Sequence, residues 1–263
     1  MDLGLNGLRA LVTGASRGLG YATAKALAAE GCQVVINSRD AQKIALAAQK
    51  LSEETGSTVI GLAGDVADPT VPQRLIDETA ERLGGLDLLV TNAGGPPPGK
   101  FESFDDAVWQ KAIDLSLLSH VRLIRSALPY LRQSQAASVL AVTSYSVKQP
   151  IANLILSNSV RMATIGMIKS LALELGSEGI RFNSILPAWT ETERVFELMS
   201  NRAKMNNSSL DEEIARQSKD SPLGRMGRPE EFAKPAAFLL SPAASYLTGV
   251  MLSVDGGMYK ATL

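Results

Sequence analysis

Histidine and cysteine are almost absent from this chain of 263 residues, which has one of each. A single thiol, Cys32, excludes an internal disulfide framework. One Cys and one His also cannot form a metal site without several carboxylates. We therefore expect a metal-independent protein of a reducing compartment.

Net charge and long hydrophobic runs are also lacking. The 26 Lys and Arg residues nearly balance 27 Asp and Glu residues, so no overall field favours nucleic acid or an anionic membrane. No apolar run approaches the roughly 20 residues of a membrane-spanning helix. The first residues have no basic segment followed by an apolar stretch and a cleavage site. We expect a cytoplasmic protein without nucleic-acid or membrane partners, which holds any anionic ligand locally.

Short apolar runs alternate with longer helical patterns along the whole chain. This alternation is typical of repeated βαβ units around a buried parallel sheet. It predicts one α/β domain over residues 1–263, a doubly wound parallel sheet of seven strands with helices on both faces. The predicted strands are Arg9–Thr13, Gln33–Asn37, Val59–Ala63, Leu86–Thr91, Ser138–Thr143, Arg181–Leu186 and Val250–Val254. The predicted helices are Leu19–Glu30, Ala41–Thr55, Pro72–Leu83, Phe104–Gln133, Asn153–Glu178 and Pro229–Leu240.

Two segments interrupt the alternation. Gly94–Gly99 contains three prolines and predicts a shaped loop after the fourth strand. Residues 191–221 are polar and helical in pattern, with no strand of their own, which is typical of a lid or substrate-binding flap. A solvated pair of surface helices is the alternative.

A glycine-rich turn joins the first strand to the first helix. Gly14, Gly18 and Gly20 allow a tight turn, close approach of the backbone to a pyrophosphate and close packing of the helix on the strand. The helix N-terminus supplies unpaired amides to the anion. The strand, turn and helix together predict a dinucleotide site.

The end of the second strand indicates which dinucleotide binds. An NAD-preferring protein places an acid there for the ribose 2′-hydroxyl, but this chain has Asn37, Ser38 and Arg39. Arg39 and Arg17 could clamp a 2′-phosphate through charge-assisted hydrogen bonds. We therefore favour NADP(H) over NAD(H); the alternative is that both arginines are solvated surface charges.

These motifs resemble the short-chain dehydrogenase/reductase family, close in pattern to 3-oxoacyl-carrier-protein reductases, over nearly the whole chain. The resemblance implies a Rossmann-like fold. It also implies adenine contacts at Asp65 and Val66, and a nicotinamide end formed after Pro187 by Thr190 and Thr192. The cofactor residues it implies, with those of the turn, are Gly14, Ser16, Arg17, Gly18, Leu19, Gly20, Ser38, Arg39, Asp65, Val66, Asn92, Ala93, Gly94, Arg161, Pro187, Thr190 and Thr192.

The catalytic positions depart from the family pattern. In the family a Ser after the fifth strand is followed thirteen residues later by Tyr, and four later again by Lys. Ser144 takes the first position here, but Ser157 and Arg161 stand at the other two, and Ser116 replaces an Asn of the preceding helix. An alkyl hydroxyl loses its proton far less readily than a phenol, so Ser157 cannot replace the tyrosine as general acid or base.

A substitute lies in the stretch just after the fifth strand. Our hypothesis is that Ser144 polarises the substrate carbonyl while Lys148 or Tyr145 delivers the proton, and that Arg161 holds the nicotinamide ribose. The alternative is that Lys148 and Tyr145 face solvent on a loop.

Three functions follow from these features. The first is an NADP(H)-dependent oxidoreductase for a small carbonyl or secondary alcohol, with 3-oxoacyl compounds among the candidate substrates. The second is a catalytically silent dinucleotide-binding sensor or structural subunit, and the third is an enzyme of non-redox or internally returned hydride chemistry.

The resemblance also implies a homotetramer or dimer. In that assembly Met162, Ile165 and Ile168 face a partner helix, with burial in the subunit core as the alternative. For His120 we expect a packing or interface role.

Overall fold

The computed structural model describes residues 2–262, in which seven strands form one parallel sheet. The strands run in the order β3-β2-β1-β4-β5-β6-β7, and every neighbouring pair is parallel. This confirms the predicted doubly wound, Rossmann-like fold class. The strands are β1 (Arg9–Val12), β2 (Gln33–Ser38), β3 (Val59–Ala63), β4 (Leu88–Thr91), β5 (Ser138–Val142), β6 (Arg181–Pro187) and β7 (Met251–Val254).

The strand order reverses between β1 and β4. These strands pair in parallel, with Leu11 opposite Leu89, while the chain continues outward from them in opposite directions. Such a switch point opens a crevice at the carboxyl ends of the strands, where ligands of doubly wound folds bind. The sheet interior is apolar on both sides, and all five residues of β5 are buried.

Helices cover both faces of the sheet. One core joins the inner faces of the helices around residues 18–55 and 229–240, with Leu27, Leu51 and Phe232 fully buried. A second core on the opposite face includes Leu75 and Phe182. The helices are α1 (Gly18–Ala29), α2 (Ala41–Thr55), α3 (Val71–Leu83), α4 (Asp106–Ile113), α5 (Ser119–Leu131), α6 (Ile155–Leu175), α7 (Glu193–Asn206), α8 (Leu210–Lys219) and α9 (Pro229–Leu240).

The predicted helix Phe104–Gln133 differs from the structure in its start and its continuity. It begins later, because the Asp105 side chain caps it by accepting a hydrogen bond of 2.9 Å from the Val108 amide. A π-helical stretch over Asp114–Leu118 then separates α4 from α5. Periodicity alone does not reveal such an insertion, since the apolar face continues through it.

Helix α6 starts later than its prediction. Asn153 has a left-handed φ of 60°, and Leu154 is non-helical, so the helix begins at Ile155. Within α6, Ile165 and Ile168 are buried in the subunit's own cores, whereas Met162 is exposed. For the two isoleucines the structure therefore favours the alternative of burial over contact with a partner helix.

Residues 191–221 form α7 and α8. Met199 of α7 is fully buried against a group of residues that includes Trp189 and Leu186, so this helix is anchored by one apolar face. Ser209 and Glu212 form a reciprocal capping box at the start of α8. Within residues 2–262, no helix combines the length and apolarity that crossing a bilayer requires.

Candidate functional site

A cleft of about 380 Å³ follows the carboxyl edge of the sheet across the β1/β4 switch point. It extends from the glycine turn to the loop after β5 and the N-terminal half of α7. Of the predicted site residues, it is lined by Gly14, Arg17, Gly18, Leu19, Arg39, Asn92, Ala93, Gly94, Ser144, Tyr145, Ser157, Arg161, Pro187, Thr190 and Thr192. Ser16, Gly20, Ser38, Asp65, Val66 and Lys148 do not line it.

The glycine turn has the conformation that its sequence predicts. Gly14 and Gly18 adopt φ of 59° and 60°, a region that side chains other than glycine rarely tolerate. A side chain at Gly14 would also meet the Asn92 backbone oxygen at 2.8 Å. At Gly20 a Cβ would collide with the Gly14 carbonyl, so this glycine allows the helix to pack on the turn.

Asn92 holds the turn against the end of β4. Its side-chain amide donates to the carbonyl oxygens of Thr13 at 3.2 Å and Gly14 at 3.1 Å. Its backbone amide donates to the Thr13 hydroxyl at 2.9 Å, and that hydroxyl donates back to the Asn92 carbonyl at 2.7 Å. Asn92 therefore positions the backbone of the glycine turn as well as lining the cleft.

The N-terminus of α1 has the features of an anion-binding site. The N-cap residue Arg17 makes no side-chain capping bond, and the first turn contains no acid. The amides at this helix end are therefore available to a ligand. These features fit the pyrophosphate of a dinucleotide.

Arg17 interacts with two acids of α7. Its guanidinium forms an ion pair with Glu193 of α7 and lies 3.9 Å from Glu197. Thr192 caps α7, and its methyl group would lie 3.6 Å from a Cβ at Gly18. The first turn of α7 thus closes one side of the cleft over the glycine turn.

Arg39 remains open to solvent at the end of β2. Its side chain is 79% exposed and lies 4.0 Å from the Asp65 carboxylate. The nearby acid, Asp40, accepts hydrogen bonds from the Gln42 and Lys43 amides as the cap of α2. Asp40 is thereby occupied, and no acid takes the position of a ribose 2′-hydroxyl acceptor in β2.

Ser144 and Ser157 both reach the cleft from different elements. Ser144 follows β5, and its hydroxyl oxygen accepts a hydrogen bond of 3.1 Å from the Ser146 amide, which leaves its proton free to donate. Ser157 lies in the first turn of α6 and is half-buried. Both serines therefore line the same cleft.

Arg161 is the most buried charged group of the cleft, at 8% exposure. Its Nη1 donates to the carbonyl oxygens of Val142 at 3.3 Å and Thr143 at 3.0 Å. Burial, and secondarily the charge of Arg194, lowers the Arg161 pKa to about 10, so it stays positively charged at neutral pH. Its Nε has no hydrogen-bond partner among residues 2–262.

Tyr145 and Lys148 differ in where they point. Tyr145 is buried, lines the cleft and also borders a second cavity of about 370 Å³ beneath α7 and α8. Burial, and secondarily Asp220, raises the Tyr145 pKa above that of free tyrosine. Lys148 lies outside the cleft, with its ammonium 5.0 Å from the ring centroid of Tyr259. The geometry therefore does not support the hypothesis that Lys148 delivers the proton.

His120 is buried behind the cleft. Its Nδ1 lies 2.7 Å from the Thr91 hydroxyl at the end of β4. Burial, with a smaller effect of the Arg161 charge, lowers its pKa to about 3. A neutral histidine hydrogen-bonded inside the subunit corresponds to the packing role expected for it.

Sequence reasoning missed Arg194 as a cleft residue. Its Nη2 donates to the Pro96 carbonyl at 2.8 Å, so it links α7 to the loop after β4. No motif marks this arginine. The only available signal was its place in the segment predicted as a lid.

Fold and cleft together define a doubly wound α/β protein with the glycine turn that is typical of dinucleotide-binding enzymes. A family model described as "Enoyl-(Acyl carrier protein) reductase" matches residues 14–259. The chain belongs to the short-chain dehydrogenase/reductase family.

Three similar proteins show how far the likeness extends. The L-rhamnose 1-dehydrogenase (NAD(P)(+)) of Sphingomonas sp. is 33% identical, and the match covers 97% of each chain. The structure of L-sorbose reductase from Gluconobacter frateurii, complexed with NADPH and L-sorbose, is 31% identical with a TM-score of 0.94 and covers 99% of this chain and 100% of the other. An NADPH-bound short-chain oxidoreductase of Pseudomonas aeruginosa PAO1, described as containing an atypical catalytic centre, is 28% identical with a TM-score of 0.88 and covers 97% and 98%.

Proposed function

We propose that the protein is an NADP(H)-dependent reductase of a small carbonyl compound, with a rearranged proton donor. One observation carries the proposal. A single cleft connects the glycine turn and Arg39 with Ser144, Ser157 and Arg161. A dinucleotide whose phosphates lie at the turn would thereby place its nicotinamide beside those hydroxyls.

The preference for NADP(H) rests on charge at the end of β2. Arg39 is exposed and available, while Asp40 is occupied in capping α2. A 2′-phosphate would gain charge-assisted hydrogen bonds there, whereas β2 itself carries no carboxylate for a free 2′-hydroxyl. The sorbose reductase, whose structure contains NADPH, supports the same class of cofactor.

The protein polarises the substrate carbonyl and donates a proton to its oxygen, while a bound NADPH would supply the hydride. We assign polarisation of the substrate carbonyl to the hydroxyls of Ser144 and Ser157, which donate hydrogen bonds to its oxygen as negative charge develops. Arg161 is assigned to the nicotinamide ribose, through donors that it does not use on the Val142 and Thr143 carbonyls.

Tyr145 remains as the proton donor because it lines the cleft and Lys148 does not. A tyrosine with a raised pKa is a poor base at neutral pH, but it can still protonate the far more basic alkoxide that reduction produces. The proton leaves the Tyr145 oxygen for the substrate oxygen, and solvent from the adjoining cavity restores it. We therefore assign the reductive direction.

Residues 191–221 are proposed as the lid of this cleft. Arg17 with Glu193, and Arg194 with the Pro96 carbonyl, connect α7 to both walls of the cleft. The single domain of 1–263, which the alternation of strands and helices predicts, and the homotetramer or dimer that the family resemblance implies both stay predictions.

A catalytically silent sensor is the second candidate, favoured by the acid–base groups themselves. Neither Tyr145, with its raised pKa, nor Arg161, with a pKa of about 10, is poised near neutrality. Such a protein would bind the cofactor without turnover.

Absorbance of NADPH separates these candidates. We expect purified protein to oxidise NADPH with at least one member of a panel of ketones, ketoses, oxo-carboxylates and 3-oxoacyl thioesters. Binding of NADPH by calorimetry with no oxidation across the panel would favour the sensor, and failure to bind either coenzyme would refute both.

A further inference from the structure

The guanidinium of Arg161 is a buried charge without a counterion. No carboxylate of residues 2–262 lies within 4.0 Å of it, and its two hydrogen-bonded acceptors are neutral backbone carbonyls. Its Nη2 has no hydrogen bond within the same residues, and its buried Nε has none either. Burying an uncompensated charge is costly, so such a group is retained where a ligand completes it.

A second guanidinium approaches the same wall of the cleft. An ideal Cβ at Gly95 would lie 3.4 Å from Nη2 of Arg194 and 3.9 Å from Nη2 of Arg161. The two cations therefore meet at Gly95, one from α6 and one from α7. Arg194 is half-buried and has only a loose pairing of 3.8 Å with Glu197.

The acids of the cleft do not neutralise this pair. Glu193 and Glu197 line the cleft, but Glu193 pairs with Arg17, and Glu197 lies between Arg17 and Arg194. His120, which is buried behind the cleft, is neutral and therefore adds no charge there. The Gly95 end of the cleft therefore carries excess positive charge.

Ribose hydroxyls would satisfy donors of Arg161 but not its charge, because they are neutral. The cofactor phosphates belong at the glycine turn, where the amides at the start of α1 would receive them. We propose that Arg161 and Arg194 bind an anionic group of the substrate, a carboxylate above all, so that the substrate is an oxo-carboxylate. This inference rests on the proposed function, since it places the carbonyl at Ser144 and Ser157.

The geometry of the two guanidinium groups favours direct binding of a carboxylate over a long-range electrostatic attraction. A planar guanidinium presents parallel donors that match the two oxygens of a carboxylate. Arg161 is held in place by the Val142 and Thr143 carbonyls, and Arg194 by the Pro96 carbonyl. Both side chains are thus oriented before the ligand arrives, which reduces the entropy that binding must overcome.

Calorimetry of a dead-end complex tests the inference without turnover. The protein is first titrated with NADP⁺, and the complex is then titrated with 4-oxopentanoate and 4-oxodecanoate, each compared with its primary amide. We expect at least one acid to bind about tenfold or more tightly than its amide. Equal affinity of acid and amide, or no binding of either acid, overturns the inference.

Substitutions test whether Arg161 and Arg194 are the side chains that bind the anionic group. Arg161→Gln should abolish the preference for the acid over the amide, and Arg194→Gln should reduce it several-fold. Arg125→Gln, an exposed arginine of α5 outside the cleft, is the matched control and should leave it unchanged. A full preference in both Arg161→Gln and Arg194→Gln overturns the assignment; since Arg194 is half-buried, its variant tests the idea even if Arg161→Gln does not fold. Failure of NADP⁺ to bind at all would instead refute the proposed function.

Discussion

Asn92 and Gly14 are joined by a hydrogen bond of 3.1 Å from the asparagine side-chain amide to the glycine carbonyl oxygen. This bond and its companion to Thr13 fix the glycine turn on the end of β4. We predict that Asn92→Ala weakens NADPH binding and lowers the free energy of unfolding by about 1–3 kcal/mol, because partly buried carbonyls lose their donors. Calorimetry and urea denaturation measure the two effects.

Gln49→Ala, at an exposed position of α2, is the control and should change neither quantity appreciably. An Asn92→Ala protein with the stability and NADPH affinity of the parent would show that the turn does not depend on this side chain.

Arg39 should determine the preference between the two coenzymes. We predict that Arg39→Gln raises the NADPH dissociation constant about tenfold or more, since a charge-assisted hydrogen bond contributes about 1.5–3 kcal/mol, and leaves that for NADH nearly unchanged. Arg39→Asp should lower NADPH affinity further through repulsion of the 2′-phosphate. Equal losses of affinity for NADPH and NADH would show that Arg39 does not bind the 2′-phosphate. Arg125→Gln again serves as the control.

Glu193 forms an ion pair with Arg17, which we propose as a ligand of the cofactor. Because this ion pair is exposed on both sides, its contribution is about 1 kcal/mol or less. We therefore predict that Glu193→Gln tightens NADPH binding by at most about fivefold at low ionic strength. Glu174→Gln, an exposed acid of α6, should have no effect. Weaker NADPH binding in Glu193→Gln would mean that the pair orders the site rather than blocking it.

The sheet was predictable from sequence because its strands are buried on both faces and read as apolar runs. The Val59–Ala63 strand and the Ala41–Thr55 and Pro229–Leu240 helices have their predicted bounds. The long helix 104–133 was not predicted in detail, because a π-helical insertion shifts the backbone without interrupting the apolar pattern.

The site was predictable where local backbone geometry determines it. Gly14 and Gly18 need positive φ, which the sequence signals directly. Side-chain direction is a tertiary property: nothing in the sequence shows that Lys148 turns toward Tyr259, or that Arg194 comes within reach of Gly95.

Turnover should distinguish Tyr145 from Lys148. We predict that Tyr145→Phe lowers kcat about 100-fold or more, the scale of a lost general acid, while Lys148→Ala leaves kcat within about twofold because its ammonium lies outside the cleft. Steady-state NADPH oxidation, with a substrate found in the panel, measures both. If Tyr145→Phe also keeps full turnover, the proton comes from elsewhere; a large loss in Lys148→Ala would place that lysine in the reaction.

His120 should make the stability of the protein depend on pH. Its pKa is about 3 in the native state, against an ordinary value of 6.5 in the unfolded chain. Below pH 6.5 the unfolded chain therefore binds a proton that the native state excludes, and stability is lost as the pH falls toward 3. Between about pH 7 and about pH 5.5 this linkage lowers the free energy of unfolding by about 1.3 kcal/mol. Ordinary carboxylates titrate below that pH range, so the change can be assigned to the histidine. His120 is the single histidine of the chain, so His120→Gln should remove this slope in urea denaturation. An unchanged slope in His120→Gln would show that another group carries the dependence.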